Sequence, residues 1–409
     1  MQFIDLAAQQ NRIREKIEYN IQAVMNHGKY IMGPEVNELE DRLASFVGIK
    51  HAIACSSGTD ALLLALMVYG VGPGDAIFTT PFTFIATAEV ISLLGATPIF
   101  VDIDPKTFNI DPEKLEQAII ALKNDDRTIY PLPLPGGIPR SGPPQEDSTC
   151  PSHDASPLTL HSSLYPKGII AVDLFGLPAD YDRINDIAQN YGLFVIEDAA
   201  QSFGAEYKDK KACSLSDIAC TSFFPAKPLG CYGDGGMCFT DNDEKAEILS
   251  SLLVHGKGIH KYDNNRIGIN GRLDTIQAAI LLAKFEIFPE EIELRQQVAQ
   301  RYTNLFTPYA SFRMPHVPEG HKSAWAQYSL LAKNGEHRSM LQEKLKENGI
   351  PTAIYYPRPL HLQPAFKALG YKEGDFSVSE ECSKTIFSLP FHPYLNEEDQ
   401  KKIEQVLIK

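Results

Sequence analysis

A regular alternation of short apolar strands with helices fills the first part of the chain and constrains its fold more than any other feature. The predicted strands cover residues 51–55, 76–80, 97–102, 168–173, 194–198, 219–224 and 236–240. Helical patterns separate most of them, as in βαβ units, which build parallel sheets with helices on both faces. The predicted fold class is therefore α/β, with a mostly parallel central sheet covered by helices.

The C-terminal part has a different pattern. A long helical stretch over 273–306 crosses Pro289, where we expect a kink or a break. Beyond about residue 320, short predicted strands and helices alternate, at 328–331, 337–348, 352–356, 377–387 and 396–408. A chain of 409 residues is too long for one core. We therefore predict a large domain, 1–255, followed by a linker helix and a smaller α+β domain, 256–409.

One segment, 131–166, interrupts the alternation. It is rich in Pro, Ser and Gly and has no apolar period, which predicts an irregular surface strap or a disordered insertion. It precedes the strand 168–173 and so enters at the edge opposite the expected site. We expect it to take no part in the chemistry.

Composition excludes several classes of protein. The net charge of −14 argues against a broad nucleic-acid surface. No apolar run has membrane-spanning length and the first residues show no secretory signal, so we expect a cytoplasmic protein that does not bind membranes. The seven cysteines are scattered without paired spacing, which favours free thiols over disulfides or a metal site.

Two local patterns suggest chemistry at the carboxyl ends of the strands, where ligands bind in such sheets. Ser56-Ser57-Gly58-Thr59 runs from a strand into a helix, an arrangement that suits a phosphate, although a plain N-cap is the commoner meaning. Lys227 lies in an apolar run about thirty residues after Asp198, which ends a strand. A lysine in an apolar pocket loses its proton readily and attacks carbonyls, whereas most lysines are simply exposed.

Several motifs together resemble the DegT/DnrJ/EryC/StrS sugar aminotransferase family, pyridoxal-phosphate enzymes of fold type I. The resemblance spans nearly the whole chain except about 127–166. The motifs are Ser56–Ala61, Thr80–Ala88, Val195–Ser202, Ser222–Gly230, Gly233–Gly236, Asn270–Ala279 and Tyr356–His361.

The resemblance implies pyridoxal 5'-phosphate as cofactor and a role for each matching residue. Lys227 binds the cofactor covalently and acts as acid and base, while Asp198 pairs with the pyridine nitrogen. Gln201 binds the ring hydroxyl and Phe84 stacks on the ring. The remaining cofactor residues, which hold the phosphate, are Gly58, Thr59, Ser222 and, from the neighbouring subunit, Asn270.

Substrate and partners are also implied by the resemblance. Arg272 and Tyr356 match positions that meet substrate in relatives, and Tyr355 stands where some relatives carry His. The run around Lys227, with 287–292 and 389–395, is similar to aminotransferases that act on UDP-2-acetamido-2-deoxy-3-oxo-glucuronate in surface-polysaccharide synthesis. We therefore expect a homodimer with shared active sites, an amino-acid donor such as L-glutamate, and a nucleotide-linked keto sugar as acceptor.

Three alternatives remain at this stage. Sugar dehydratases of the same family carry His in place of the lysine, so Lys227 argues against that activity. An aminotransferase for another nucleotide-linked keto sugar stays open, whereas one for two small substrates is disfavoured, but not excluded, by the sugar motifs. A cofactor-free scaffold with the same fold is the non-enzymatic alternative, although such a protein is expected to lose Lys227, Asp198 or the phosphate cup.

Overall fold

The computed structural model describes residues 1–134, 164–260 and 262–408. The strands are, in chain order, β1 (His51–Cys55), β2 (Asp75–Thr79), β3 (Thr97–Phe100), β4 (Tyr165–Val172), β5 (Phe194–Asp198), β6 (Glu206–Tyr207), β7 (Lys210–Lys211), β8 (Ile218–Ser222), β9 (Gly236–Thr240), β10 (His321–Lys322), β11 (Tyr328–Leu331) and β12 (Ile386–Leu389). The helices are α1 (Leu6–His27), α2 (Pro34–Val47), α3 (Gly58–Val68), α4 (Ala86–Leu93), α5 (Pro112–Asn124), α6 (Tyr181–Tyr191), α7 (Asp243–Leu252), α8 (Thr275–Phe285), α9 (Phe288–Phe306), α10 (Gly335–Glu347), α11 (Ser377–Thr385) and α12 (Glu397–Ile408).

Seven strands form the central sheet, in the order β1-β9-β8-β5-β4-β2-β3. The neighbours from β3 to β8 run parallel, whereas β9 is antiparallel to both β8 and β1. The prediction of a mostly parallel sheet is therefore confirmed.

Alternate residues of each strand fill two separate cores, as the strand period of two requires. Ile169 and Val195 face the core built by α5 and α6, while Ile170 and Ile196 face the one built by α3, α4 and α7. Each fully buried side chain of this size contributes about 1.5–3 kcal/mol by leaving water. Burial on both faces explains why the strands are continuously apolar.

The C-terminal part confirms some predictions and corrects others. The long helical stretch breaks where expected, since α8 ends at Phe285 and α9 begins at Phe288, next to Pro289. Residues 352–356 are not a strand, because only Ala353 pairs, with Ser388. The helix predicted over 377–387 ends at Thr385, because residues 386–389 pair with β11 as strand β12 instead.

The insertion predicted over 131–166 lies mostly outside the described residues. Of its described ends, Leu132 is buried and the Leu134 N–H donates to the Leu369 carbonyl over 2.8 Å. Tyr165 and Pro166 belong to β4, so the strand begins earlier than predicted. The division at residues 255 and 256 stays a prediction. None of the helices in the described ranges is both long and apolar enough to cross a bilayer.

Candidate active site

The carboxyl ends of two neighbouring parallel strands, β5 and β8, meet at one edge of the sheet. Asp198 is the last residue of β5 and pairs in register with Cys220 of β8, which ends two residues later at Ser222. The sequence-predicted residues Asp198, Ser222 and Lys227 therefore share one edge, as strand ends do in parallel sheets.

The turn from β1 into α3 forms a tight cup against Ser222. Ser57 caps the helix by accepting the Asp60 N–H over 3.0 Å. A Cβ added to Gly58 would lie 2.7 Å from the Cβ of Ser222, closer than real Cβ atoms approach. The first-turn N–H groups of a helix have no acceptor within it and favour an anion. The cup therefore suits a phosphate, with the Ser222 hydroxyl beside the helix start.

Lys227 is held by a firmly anchored turn. Its N–H donates to the Phe224 carbonyl over 2.8 Å. Beyond it, the buried Lys284 of α8 donates from Nζ to the Gly230 carbonyl over 2.5 Å, and Gln277 accepts the Tyr232 N–H over 2.9 Å.

The environment of Lys227 also changes its acidity. Burial lowers the pKa of Lys227 to about 8, against the opposing effect of the Asp198 charge. Part of the Lys227 population is therefore a neutral amine near neutral pH, which nucleophilic attack on a carbonyl requires.

Asp198 is a buried carboxylate with oriented donors. Thr87 donates its hydroxyl to Oδ2 over 2.8 Å, and the Ala200 N–H donates to Oδ1 over 3.3 Å. Burial nevertheless raises the pKa of Asp198, while these donors and Lys227 act in the opposite direction. An anion in this position is stabilised by a cationic partner. A protonated pyridine nitrogen is such a partner, so the site fits the cofactor.

Gln201 and Tyr356 meet beside this carboxylate. The Gln201 Oε1 atom accepts the Phe175 N–H over 2.8 Å, and its Nε2 donates to the Tyr356 hydroxyl over 3.3 Å. Tyr356 also feels the charge of Asp198, and burial raises the pKa of its phenol. The structure thus brings together Asp198, Gln201 and Tyr356, three residues predicted from separate motifs.

Two further aromatic residues were predicted at the site. Phe84 is 55% exposed, so it is not a core residue, and its carbonyl accepts the Thr87 N–H over 3.3 Å. It therefore lies one helical turn from the residue that binds Asp198. Tyr355 is half-buried and its ring centroid lies 6.4 Å from that of Phe3. Stacking by Phe84 and substrate contact by Tyr355 stay predictions.

Asn270 and Arg272 lie in a short segment that pairs with the end of β1. Arg272 bridges to Cys55, and the Ser56 N–H donates to the Gly271 carbonyl over 2.9 Å. Asn270 is exposed and accepts a hydrogen bond from the Arg272 guanidinium. Both residues therefore belong to the rim beside the strand that enters the phosphate cup.

Sequence reasoning missed two residues at this site. Thr87 had a usable signal, because the sequence predicts a helix over 84–94, in which Thr87 follows Phe84 by three positions and so shares its face. Phe175 had none, because its contribution is a backbone N–H. The roles predicted for the cofactor and substrate residues, Gly58 and Thr59 included, stay predictions.

A half-buried lysine, a buried acid and a helix-start cup that suits a phosphate, at the carboxyl edge of an α/β sheet, are features of one class, the pyridoxal-phosphate enzymes of fold type I. The sequence comparison narrows this class to one family. The chain belongs to the DegT/DnrJ/EryC1/StrS aminotransferase family, whose pattern matches residues 11–134 and 151–407.

Three relatives illustrate the match. The UDP-2-acetamido-2-deoxy-3-oxo-D-glucuronate aminotransferase of Pseudomonas aeruginosa is 47% identical over 97% of this chain and 96% of its own length. A pleiotropic regulatory protein of Geobacillus stearothermophilus is 40% identical over 98% of this chain and 95% of its own. The crystal structure of a family aminotransferase from Brucella abortus has 46% identity and a TM-score of 0.88, and the match covers 100% of this chain and 98% of that one.

Proposed function

We propose that this aminotransferase moves the amino group of L-glutamate onto UDP-2-acetamido-2-deoxy-3-oxo-D-glucuronate, for the synthesis of a surface polysaccharide such as lipopolysaccharide. The observation that carries the proposal is the full-length 47% identity to the Pseudomonas aeruginosa enzyme of that name, joined to the intact site around Lys227. An aminotransferase for another nucleotide-linked keto sugar is the nearest alternative.

We propose the residues that would hold pyridoxal phosphate from the resemblance to the family. Gly58, Thr59 and Ser222 would bind its phosphate, Asp198 its pyridine nitrogen and Gln201 its ring oxygen. Phe84 would stack on the ring. When bound, the cofactor supplies the electron sink that lets a proton leave the carbon bearing the amine.

Lys227 would move protons during the reaction. Its Nζ, neutral in part because burial lowers its pKa to about 8, takes the proton from the α-carbon of the amino acid. The same Nζ, then an ammonium group, would deliver this proton to the aldehyde-derived carbon of the cofactor and become neutral again. The Thr87 and Ala200 donors favour the charged form of Asp198 against the effect of its burial, and the charged form would hold a positive partner in place.

The substrate side would be formed by Arg272, Tyr355 and Tyr356. A guanidinium binds carboxylates with two parallel hydrogen bonds. Arg272 would therefore bind the carboxylate of the amino acid in one half-reaction and that of the uronate in the other. The Tyr356 hydroxyl, which accepts from Gln201, keeps its own proton for the substrate.

We further propose a cytoplasmic homodimer in which Asn270 of one subunit completes the phosphate site of the other. Several large apolar side chains are exposed, including Phe84 at 55%, Phe224 at 52% and, in the loop that precedes Asn270, Ile259 at 92% and Ile267 at 90%. Exposed apolar surface of this kind is typical of a protein interface. The six cysteines in the described ranges are free thiols, which suits a reducing compartment.

One observation favours a second function. The Geobacillus stearothermophilus relative, at 40% identity, is named a pleiotropic regulatory protein. A regulator without catalytic activity does not require Lys227, Asp198 and the phosphate cup at one edge of the sheet, whereas this chain has all three. A purified protein without a visible absorption band after incubation with pyridoxal phosphate would support the regulatory function.

A panel of amino donors and nucleotide-linked keto sugars tests the proposal. We expect L-glutamate to bleach the visible band and the UDP-linked 3-oxo-glucuronate to restore it. Other keto sugars, such as a dTDP-linked one, serve as controls for the sugar and the nucleotide. Restoration by the dTDP sugar alone would replace the proposed acceptor, whereas no bleaching by any amino acid would exclude transamination.

A further inference from the structure

Phe175 has a backbone conformation that its residue type avoids. It follows β4 within the short 3-10 turn Leu174–Gly176, at φ +59° and ψ 12°, and its side chain is buried. Left-handed backbone is uncommon for residues other than glycine, and for bulky side chains it requires that the surrounding structure impose it. The ring itself packs edge-on against Phe108, with centroids 5.8 Å apart.

The conformation is imposed by a short backbone clasp from the C-terminal part of the chain. The Ala324 N–H donates to the Gly176 carbonyl over 2.8 Å, and the Ala326 N–H donates to the Phe175 carbonyl over 2.9 Å. Trp325, between these donors, also has a positive φ, of 51°. At Gly176, φ is +95° and an added Cβ would meet Trp325 N at 2.8 Å and Gln201 O at 3.1 Å, so the clasp closes tightly.

The backbone conformation of Phe175 affects the active site through one hydrogen bond. In this conformation the Phe175 N–H points at Gln201 and donates to Oε1 over 2.8 Å. A backbone N–H needs an acceptor, so the carboxamide of Gln201 is fixed with its oxygen away from the site. Its Nε2 then faces Tyr356 at 3.3 Å, which leaves a second N–H for another acceptor.

We propose that Phe175 is a positioning residue, whose left-handed backbone fixes the Gln201 carboxamide so that it presents a hydrogen-bond donor to the cofactor. Residues 324–326 hold Phe175 in this conformation. The inference rests on the proposed role of Gln201 at the ring oxygen. It extends that role, because it makes the donor depend on the backbone of a residue whose side chain is buried against Phe108.

Two variants distinguish the effect of the Phe175 backbone conformation from the effect of its aromatic ring. Phe175→Gly and Phe175→Val both remove the aromatic packing, but glycine adopts positive φ freely whereas a β-branched residue resists it. The readout is the pH at which the visible band of the cofactor-loaded protein titrates, with the melting temperature measured alongside. A hydrogen-bond donor to the ring oxygen stabilises the negative charge of that oxygen and so lowers the pKa of the neighbouring proton. Loss of the donor therefore raises the titration midpoint.

We expect both variants to melt earlier than the wild type, but only Phe175→Val to raise the midpoint, by about one pH unit. Phe175→Ala replaces Phe175→Val if the latter does not fold, since it differs from Phe175→Gly by a single methyl group. An unchanged midpoint in the variant with a Cβ, or equal shifts in both variants, would overturn the inference.

Gln201→Ala distinguishes the two ways of failing. If Gln201→Ala raises the midpoint while Phe175→Val does not, Gln201 keeps its proposed role and the positioning by Phe175 is wrong. If Gln201→Ala leaves the midpoint unchanged, the role of Gln201 is wrong and the inference falls with it.

Discussion

The Thr87 hydroxyl donates a hydrogen bond of 2.8 Å to Oδ2 of Asp198, and both side chains are buried. Asp198 ends a strand of the central sheet, while Thr87 lies in the first turn of α4, 111 residues earlier in the chain. The hydrogen bond fixes one carboxylate oxygen and opposes the burial that raises the pKa of Asp198. The Asp198 carboxylate is therefore oriented to pair with a positively charged ring nitrogen.

Replacing Thr87 with valine tests this relationship. Thr87→Val removes the donor at nearly constant volume, so the pKa of Asp198 rises further and its carboxylate pairs less well with a cation. We expect the affinity for pyridoxal phosphate to fall by about tenfold, the value of one hydrogen bond to a charged group. Titration of the apo-protein with cofactor, followed by absorbance, measures the change.

Thr79→Val is the matched control, because its buried hydroxyl donates to the Ile170 carbonyl rather than to Asp198. The control should lose stability but keep its cofactor affinity. Equal affinities in Thr87→Val and the wild type would contradict the account of Asp198.

The phosphate cup predicts a steric effect at Gly58. Gly58→Ala places a Cβ 2.7 Å from that of Ser222, so the helix start and the strand end must separate. We expect weaker cofactor binding by tenfold or more and a loss of about 1–3 kcal/mol in stability. Gly72→Ala adds the same methyl group where nothing lies within 4 Å, and should leave both quantities unchanged. Normal cofactor binding by Gly58→Ala would place the phosphate elsewhere.

Burial of Lys227 predicts a pH-dependent stability of the apo-protein. The pKa of Lys227 is about 8 in the folded chain against 10.5 ordinarily, so the unfolded chain binds more protons between these values and stability rises with pH there. Lys227→Met removes the buried charge. The variant should therefore be more stable than the wild type at neutral pH, by about 2 kcal/mol since the site is partly open.

Denaturant unfolding of both apo-proteins at several pH values measures this difference. The advantage of Lys227→Met should disappear as pH rises from about 8 to 10.5. Lys346→Met, at an exposed position of α10, is the control and should show no such dependence. If the greater stability of Lys227→Met stayed constant or increased at high pH, burial would not disfavour the charged form of Lys227.

Shared active sites predict that inactive subunits complement each other. Arg272 donates to Asn270, so we expect it to enter the neighbouring subunit's site together with Asn270, and Lys227→Ala and Arg272→Ala chains should each be inactive alone. In mixed dimers with sites built from both subunits, half of the dimers carry one intact site, so about a quarter of the wild-type activity should return. Activity after co-refolding of the two variants measures this, and no recovery would mean that each site is built from one chain.

The sequence predicted the sheet and much of the site because both depend on local patterns. Continuous apolar strands indicate a buried parallel sheet, and Lys227 and Asp198 are recognisable from their own motifs. Strand β12 was missed because its four residues, three of them apolar, follow a helix directly, where periodicity does not separate the two structures. Phe175 and Thr87 act on partners 26 and 111 residues away, and only the folded chain brings these pairs together.

The proposed role of Lys227 is to serve the transfer of an amine from an amino acid to a UDP-linked keto sugar. Its most direct test is incubation of the purified protein with heavy-nitrogen L-glutamate and UDP-2-acetamido-2-deoxy-3-oxo-D-glucuronate, followed by mass spectrometry of the sugar. We predict heavy nitrogen in the sugar, with one 2-oxoglutarate formed for each amine transferred, and neither product with Lys227→Ala. Labelled sugar from the Lys227→Ala protein, or none from the wild type while glutamate is consumed, would contradict the claim.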